Sequence, residues 1–163
     1  MVSRRTCLVA LLALVLPTAA PASGKKEAKC SVTFHIETDS SDNPKMIFPQ
    51  QVNGQTRYFR RLPEVGTKDI VSFSPFPSEI DSYGVMFRLK DNAAKRINAV
   101  TTAAQGRWLL AQVNGRVVDA VLIDKPVTDG MLVVWKRVTL ADITLMDESF
   151  PRIGQENQKK KKK

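Results

Sequence analysis

The residue types that most often carry enzyme chemistry are scarce in this sequence. His35 is the only histidine among the 163 residues, and Cys7 and Cys30 are the only cysteines. A Ser-His-Asp or Cys-His catalytic group would therefore need His35. Cys30 lies about 16 Å from His35 if the chain between them is extended, which is too far for a direct hydrogen bond. No sequence motif identifies a serine or an aspartate as a catalytic partner of His35. We therefore predict no catalytic residue and expect His35 to be an exposed histidine on a strand.

The sequence offers as little for a metal ion or a cofactor. Zinc sites need about four Cys, His or carboxylate ligands at recognisable spacing, which the single histidine and the cysteines do not supply. Asp39, Ser41 and Asn43 alternate like the first ligands of an EF-hand calcium loop. Pro44 and Gln50, however, stand where that loop needs a glycine and a bidentate glutamate, so we expect a solvated turn. No phosphate-binding glycine motif occurs. We therefore predict no metal, no nucleotide and no other cofactor.

Basic and aromatic residues alternate in the stretch RYFRR at residues 57–61. Such a stretch can stack bases and neutralise phosphates. On a strand, however, its side chains divide between two faces, as in a half-buried strand with long basic side chains, and we predict no nucleic-acid partner. The functional alternative for these aromatics and for the two tryptophans is contact with a polypeptide, although tryptophans are more often core residues. The predicted partner contacts are Tyr58, Phe59, Trp108 and Trp135.

The net charge of +9 is concentrated at the two ends of the chain. Arg4, Arg5 and the terminal lysine run carry seven of the nine net charges, so the remainder is nearly neutral. A terminal lysine run usually keeps a protein soluble. On a flexible tether it would also be attracted weakly to anionic surfaces, with screening over about 8 Å at physiological salt. The predicted contacts to an anionic surface are Lys159, Lys160, Lys161, Lys162 and Lys163.

The first 22 residues have the layout of a secretory signal peptide. Met1–Arg5 is basic, Cys7–Leu16 is an apolar run of about half the ~20 residues that span a bilayer, and Ala20–Ala22 suits signal peptidase. We expect cleavage after residue 22, no transmembrane span in the mature chain, and a periplasmic or secreted location; a retained anchor is the alternative. Cys30 is then alone, which excludes an internal disulfide and leaves a thiol at the edge of the first strand that could pair between chains.

Alternation and turn residues predict a domain made mostly of antiparallel strands. Residues 32–37 alternate between apolar and polar side chains, as a strand with one buried face does. Asn53-Gly54 and Asn114-Gly115 suit the positive φ angles of two-residue hairpin turns. The pairs predict hairpins over residues 45–62 and 108–123. Further strands are predicted at residues 70–73, 83–89 and 131–138.

Two helices complete the predicted domain. Asp91 is expected to cap a helix that runs to about Gln105, where Gly106 ends it. Thr139 and Asp142 resemble the capping box of a second, short helix. The 3.6-residue repeat assigns their buried faces. The first face would hold Ala93, Ile97, Val100 and Ala104, and the second Leu140, Ile143, Met146 and Phe150.

These elements predict an α+β two-layer sandwich, in which two helices cover one face of a mostly antiparallel sheet, as in ferredoxin-like architectures. We expect one domain over residues 31–150. Residues 23–30 would form a linker, and residues 151–163 a disordered, lysine-rich tail because they lack apolar residues after Ile153.

Part of this domain resembles a known family. VMFRL at residues 85–89, the alanine-rich helix, LAQVNGRVVDA at 110–120 and PVTDG at 126–130 follow the order and spacing of the head subdomain in the first periplasmic region of SecD and SecDF, accessory subunits of the protein-export translocase. The resemblance covers Tyr83 to Ile143. It implies a SecD-head-like fold that touches emerging, unfolded polypeptide, without the proton-driven motor of the family's transmembrane helices.

The leading functional hypothesis is therefore an exported, non-enzymatic, SecD-head-like module that contacts unfolded or extended polypeptide or envelope proteins. The alternative is an envelope-associated structural protein tethered by its lysine tail. A hydrolase that uses His35 ranks last. The sequence leaves the oligomeric state open.

Overall fold

A computed structural model of the chain describes residues 30–79 and 82–156. The predicted signal peptide, residues 23–29 of the predicted linker and the five terminal lysines lie outside the described residues. In the described parts of the chain, no helix combines the length and hydrophobicity needed to cross a bilayer.

Strands dominate the described residues, and two α-helices accompany them. In chain order the elements are β1 (Val32–Thr38), β2 (Ile47–Val52), β3 (Gln55–Arg60), β4 (Ile70–Pro77), β5 (Tyr83–Leu89), α1 (Asp91–Ala103), β6 (Trp108–Val113), β7 (Arg116–Leu122), β8 (Met131–Val138) and α2 (Leu140–Ser149). A single turn of 3-10 helix, Thr67–Asp69, precedes β4.

The strands form two antiparallel sheets rather than one. The first sheet has the order β2-β3-β1-β6-β7, and the second has the order β4-β5-β8. β7 and β8 lie side by side where the two sheets meet, so the strands together make a curled antiparallel surface. The predicted α+β class with antiparallel strands and two helices is confirmed, and the division into two sheets is the new feature.

Alternation along the strands of the first sheet divides its side chains between two cores. Leu109 packs in the main core with residues of both helices and both sheets, whereas the next residue, Leu110, packs in a second core with Val52 and Phe59. Because the β2–β3 hairpin contributes to this second core, the middle of the five-stranded sheet is buried on both faces.

Both predicted hairpins form with the expected turns. Asn53 and Gly54 have φ angles of 50° and 77°, and Asn114 and Gly115 have 52° and 75°. Positive φ at both turn positions matches the right-handed twist of the flanking strands, which is why Asn-Gly favours this connection.

The helices lie where they were predicted, with corrections at their ends. α1 begins at Asp91, but Lys90 is its N-cap residue and no side chain caps it, so the predicted capping by Asp91 is wrong. The capping box of α2 is confirmed. Leu140 is 64% exposed, contrary to its predicted inward position. It is the first residue of α2, and helical side chains lean toward the N-terminus, so Leu140 projects beyond the end of the helix.

The segment that follows α2 lies against the outer edge of β4. The Phe73 N–H donates to the Pro151 carbonyl at 3.1 Å, and the Ile153 N–H donates to the Phe73 carbonyl at 2.9 Å. The prediction of a disordered tail over residues 151–163 is therefore wrong for residues 151–156. The open edge of β4 supplies backbone partners for this segment.

Candidate functional site

A cleft opens where the two sheets meet. β7 and β8 are neighbours, but no backbone ladder joins them among the described residues. The cleft between them has a volume of about 470 Å³. Its floor reaches the main core at Phe34 and Leu109, and its walls come from the end of β7, the loop of residues 123–130 and β8.

One carboxylate next to the cleft links β7 to β8. Asp119 Oδ2 accepts the backbone N–H of Trp135 on β8 at 2.7 Å, and Asp119 Oδ1 accepts the N–H of Ala120 on β7 at 2.9 Å. Asp119 is buried. Farther from the cleft, the Arg116 guanidinium donates to the Arg137 carbonyl at 3.1 Å. Side chains thus replace the backbone ladder between the two strands.

A bulge in β8 gives Trp135 its position. Between the pairs Val85–Val134 and Tyr83–Val138, β5 advances two residues while β8 advances four. Arg137 has a φ of 63° within this bulge. Extra residues in one strand change the direction of their backbone groups and side chains.

The ring of Phe76 on β4 contacts Trp135 on β8, across the intervening strand β5 of the same sheet. The two ring centroids are 6.0 Å apart and the rings meet edge to face at 70°. Phe76 lies over Gly84, its partner across β4 and β5. A Cβ at Gly84 would come within 2.2 Å of the Phe76 ring, so the close approach requires glycine at this position.

Exposed apolar side chains border the cleft. Trp135 is 57% exposed on the β8 side, and Leu122 is 45% exposed on the β7 side. Both also border an adjoining depression next to Phe76. Large exposed apolar side chains that converge on one concavity are typical of binding sites.

The other three predicted partner contacts lie elsewhere. Phe59 is fully buried in the second core, so it is not available at the surface. Tyr58 is half-buried on β3, opposite Pro49. Trp108 is half-buried, and the Arg57 guanidinium lies over its ring at 5.3 Å. The structure does not bring these three residues to the cleft, where Trp135 lies.

His35 is buried rather than exposed, contrary to the prediction. Its Nδ1 lies 2.8 Å from the Arg60 carbonyl oxygen, and its Nε2 lies 2.9 Å from the Thr33 hydroxyl. Burial lowers the pKa of His35 below its ordinary 6.5, against the Arg60 carbonyl and the nearby Glu64, which act to raise it. Both ring nitrogens are engaged in hydrogen bonds and the ring is buried, which favours a structural role for His35.

The Cys30 thiol is also buried, which opposes the pairing between chains that the sequence left open. Burial, reinforced by the negative charge of Asp142, raises its pKa to about 11. A thiol in that state is a poor nucleophile and a poor partner for disulfide exchange.

The loop that suggested a calcium site is held by other contacts. The Asp39 carboxylate pairs with the Arg107 guanidinium at 3.1 Å, and Asn43 Oδ1 accepts the backbone N–H of Lys45 at 3.0 Å. Among residues 30–79 and 82–156, no three Cys, His, Asp or Glu side chains form a cluster that could ligate a metal ion.

Two residues have no predicted role in the sequence: Leu122, which lines the cleft, and Asp119, which lines the adjoining depression. An aspartate flanked on both sides by apolar residues of a strand is unusual, and this is the available signal for Asp119. Its partner on β8 depends on the bulge and on the contact between two sheets, which no local pattern specifies.

Comparison with known proteins gives structural matches. No family model and no curated protein sequence matches the chain. A solved structure described as "Structure and function of a membrane component SecDF that enhances protein export" matches with a TM-score of 0.52 and 17% identity, covering 76% of this chain and 64% of that one. "Crystal structure of SecDF in Super-membrane-facing form" matches with a TM-score of 0.52 and 16% identity, covering 75% of this chain and 19% of that one.

At these identities the likeness establishes the fold. The matched share of this chain is larger than the segment Tyr83–Ile143 on which the resemblance was first based. The predicted resemblance is therefore confirmed at the level of structure: about three quarters of the chain has the fold of part of the SecDF protein-export component.

Proposed function

We propose that this protein is an exported, non-enzymatic module that contacts unfolded or extended polypeptide in a process related to protein export. The observation that carries the proposal is the cleft between β7 and β8, which presents exposed apolar side chains at Trp135 and Leu122. The fold it shares with SecDF, which is described as enhancing protein export, supports the proposed relation to protein export. The buried, fully engaged ring of His35 supports the non-enzymatic part of the proposal.

Binding of matched folded and unfolded proteins tests this function. The purified chain is titrated with reduced, carboxymethylated lysozyme and, separately, with native lysozyme, and binding is followed by calorimetry. We expect micromolar binding of the unfolded form and much weaker binding of the native form. Absence of binding to both forms at high micromolar concentration would contradict the proposal.

The proposed location is the periplasm or the exterior of the cell, after removal of residues 1–22. Support comes from the basic start, the short apolar run and the small residues at 20–22. N-terminal sequencing of the protein recovered from its native cells should begin at Ser23. A sequence that begins at Met1 would contradict this location.

The terminal lysine run favours a second candidate function, an envelope-associated structural protein. Five consecutive cations would hold the domain near anionic surfaces, most strongly at low salt. Deleting Lys159–Lys163 should reduce retention on anionic vesicles and remove its salt dependence, while a tail of five glutamines controls for length. Under the first candidate function, unfolded lysozyme binds the deleted chain as before.

A further inference from the structure

We propose that the cleft binds one extended segment of polypeptide as an added strand on the outer edge of β8. This inference rests on the proposed function and names the place and the mode of binding. It follows from the direction of the backbone groups in β8 and β7, from the protection of the other open strand edges, and from the apolar side chains at the cleft.

The pairing of β8 with β5 fixes which backbone groups of β8 face the cleft. The Leu89 N–H donates to the Gly130 carbonyl at 3.0 Å, so this pair is a hydrogen-bonded one. Backbone groups alternate in direction along an antiparallel strand. Leu132 therefore turns its N–H and C=O toward β5, while Met131 and Val133 turn theirs toward the cleft.

Met131 and Val133 together turn four backbone groups toward the cleft, and three of these groups are available to an incoming strand. The Met131 N–H donates to Asp129 Oδ1 at 3.0 Å. The Met131 carbonyl and both backbone groups of Val133 face the cleft, where β7 offers no ladder. The next outward N–H, at Trp135, donates to Asp119, which agrees with the alternation and marks the closed end of the edge.

The backbone groups of β7 alternate in direction in the same way. The Ile123 N–H donates to the Arg107 carbonyl at 2.9 Å, so Ile123 faces β6. Leu122 then turns its N–H and C=O toward the cleft. The cleft is thus bordered by backbone donors and acceptors on both sides, which is the chemistry that an extended peptide backbone complements.

The other open edges of the two sheets are protected against strand addition. Pro49 lies at an outward-facing position in the middle of β2, because the hairpin turn makes its pairing with Tyr58 a non-hydrogen-bonded one. On β4, Phe73 pairs with the segment after α2, and the outward positions that follow are Pro75 and Pro77. Proline removes the donor that an added strand would need. β7 and β8 contain no proline.

The side chains at the cleft indicate which peptides it would accept. Trp135 and Leu122 present apolar surface on opposite sides. A strand places alternate side chains on one face, so the preferred segment has apolar residues at alternate positions. Such segments are exposed in unfolded chains and buried in folded ones, which agrees with the proposed preference for unfolded polypeptide.

Proline substitutions test the site. Val133→Pro removes the N–H that faces the cleft, and it leaves the β5 ladder intact because that N–H points away from β5. Gln51→Pro is the matched control, since it removes an outward N–H from the edge of β2. We expect Val133→Pro to weaken binding of reduced, carboxymethylated lysozyme about tenfold or more, and Gln51→Pro to leave it unchanged. Equal affinities in the two variants would overturn the inference.

A measurement on the unaltered protein keeps the test decisive if Val133→Pro does not fold. Amide hydrogen exchange at Val133 is followed by NMR with and without a saturating synthetic peptide in which valine and threonine alternate. Strand addition should slow exchange at Val133 and leave Gln51 unchanged. If the peptide binds but exchange at Val133 is unchanged, strand addition at β8 is overturned, whereas the proposed binding of polypeptide is not. No binding of either polypeptide would instead overturn the proposed function itself.

Discussion

Asp119 on β7 accepts the backbone N–H of Trp135 on β8 at 2.7 Å, across a boundary where two sheets meet without a ladder. The second oxygen of the same carboxylate accepts the N–H of Ala120 at 2.9 Å. A carboxylate that accepts two backbone N–H groups acts as a short substitute for a strand. It holds the sheets together at one end and lets them diverge toward Leu122.

Replacing this carboxylate by an amide should loosen the junction. In Asp119→Asn, one of the two acceptor oxygens becomes an NH₂ group, so one of the two partly buried N–H groups loses its partner. We expect the free energy of unfolding to fall by about 1–3 kcal/mol, measured by urea denaturation. Asp124→Asn makes the same chemical change at an exposed position by the cleft, and it should change stability by less than about 0.5 kcal/mol. Equal effects of the two substitutions would contradict the role of Asp119.

The Phe76 ring over Gly84 supports a second prediction. In Gly84→Ala the added methyl group would lie 2.2 Å from ring carbons of Phe76, so the ring must leave its present position, in which it contacts Trp135. We expect a loss of about 1–3 kcal/mol in the free energy of unfolding. Gly66→Ala is the control, because a Cβ there meets nothing within 4 Å and the φ angle is −116°. Comparable losses in both variants would show that the ring contact is not the cause.

The buried Cys30 thiol predicts chemical inertness in the folded protein. Its pKa of about 11 leaves very little thiolate near neutral pH. Maleimide labelling mapped by mass spectrometry should leave Cys30 unmodified in buffer and modify it in concentrated urea. Ser31→Cys provides an exposed thiol at the next position, which should react at once in the folded state. Rapid labelling of Cys30 in the folded protein would contradict its burial.

Local patterns in the sequence predict much of the fold. The Asn-Gly pairs predicted both hairpins, because few residue pairs adopt two successive positive φ angles at low cost. Thr139 and Asp142 predicted the start of α2, because a capping box satisfies two backbone N–H groups with side chains only three positions apart. In each case the interacting groups lie within a few residues of one another.

The features that local patterns missed depend on contacts between distant segments. The cleft exists because β8 bulges at Trp135 and meets Asp119 from another sheet. Nothing in the sequence of either strand alone sets that register. The segment after α2 was expected to be solvated because it is polar, but its backbone pairs with Phe73 on the edge of β4. Composition does not reveal such pairing.

The burial of His35 also depends on a contact between distant segments, and it leads to a prediction about pH. Its place on the polar face of β1 indicated exposure, but Phe48 from the β2–β3 hairpin packs edge-on against the ring at 5.4 Å. The Arg60 carbonyl requires a proton on Nδ1, and a neutral ring then accepts the Thr33 hydroxyl at Nε2. Burial lowers the pKa of the ring because it penalises the charged form.

The sign of the resulting pH dependence follows from that lowered pKa. Between the folded pKa and about 6.5, the unfolded chain binds a proton at His35 that the folded chain does not, so acidification favours unfolding. Wild-type stability should therefore fall as the pH is lowered through this window, by at most about 1.4 kcal/mol per pH unit from this group. His35→Gln keeps a donor for the Arg60 carbonyl but does not titrate, so its stability should fall less between pH 7.5 and 5.5 in urea denaturation. A gain in wild-type stability relative to His35→Gln on acidification would mean that the pKa of His35 is raised in the folded protein. That result would contradict a neutral, buried His35 ring.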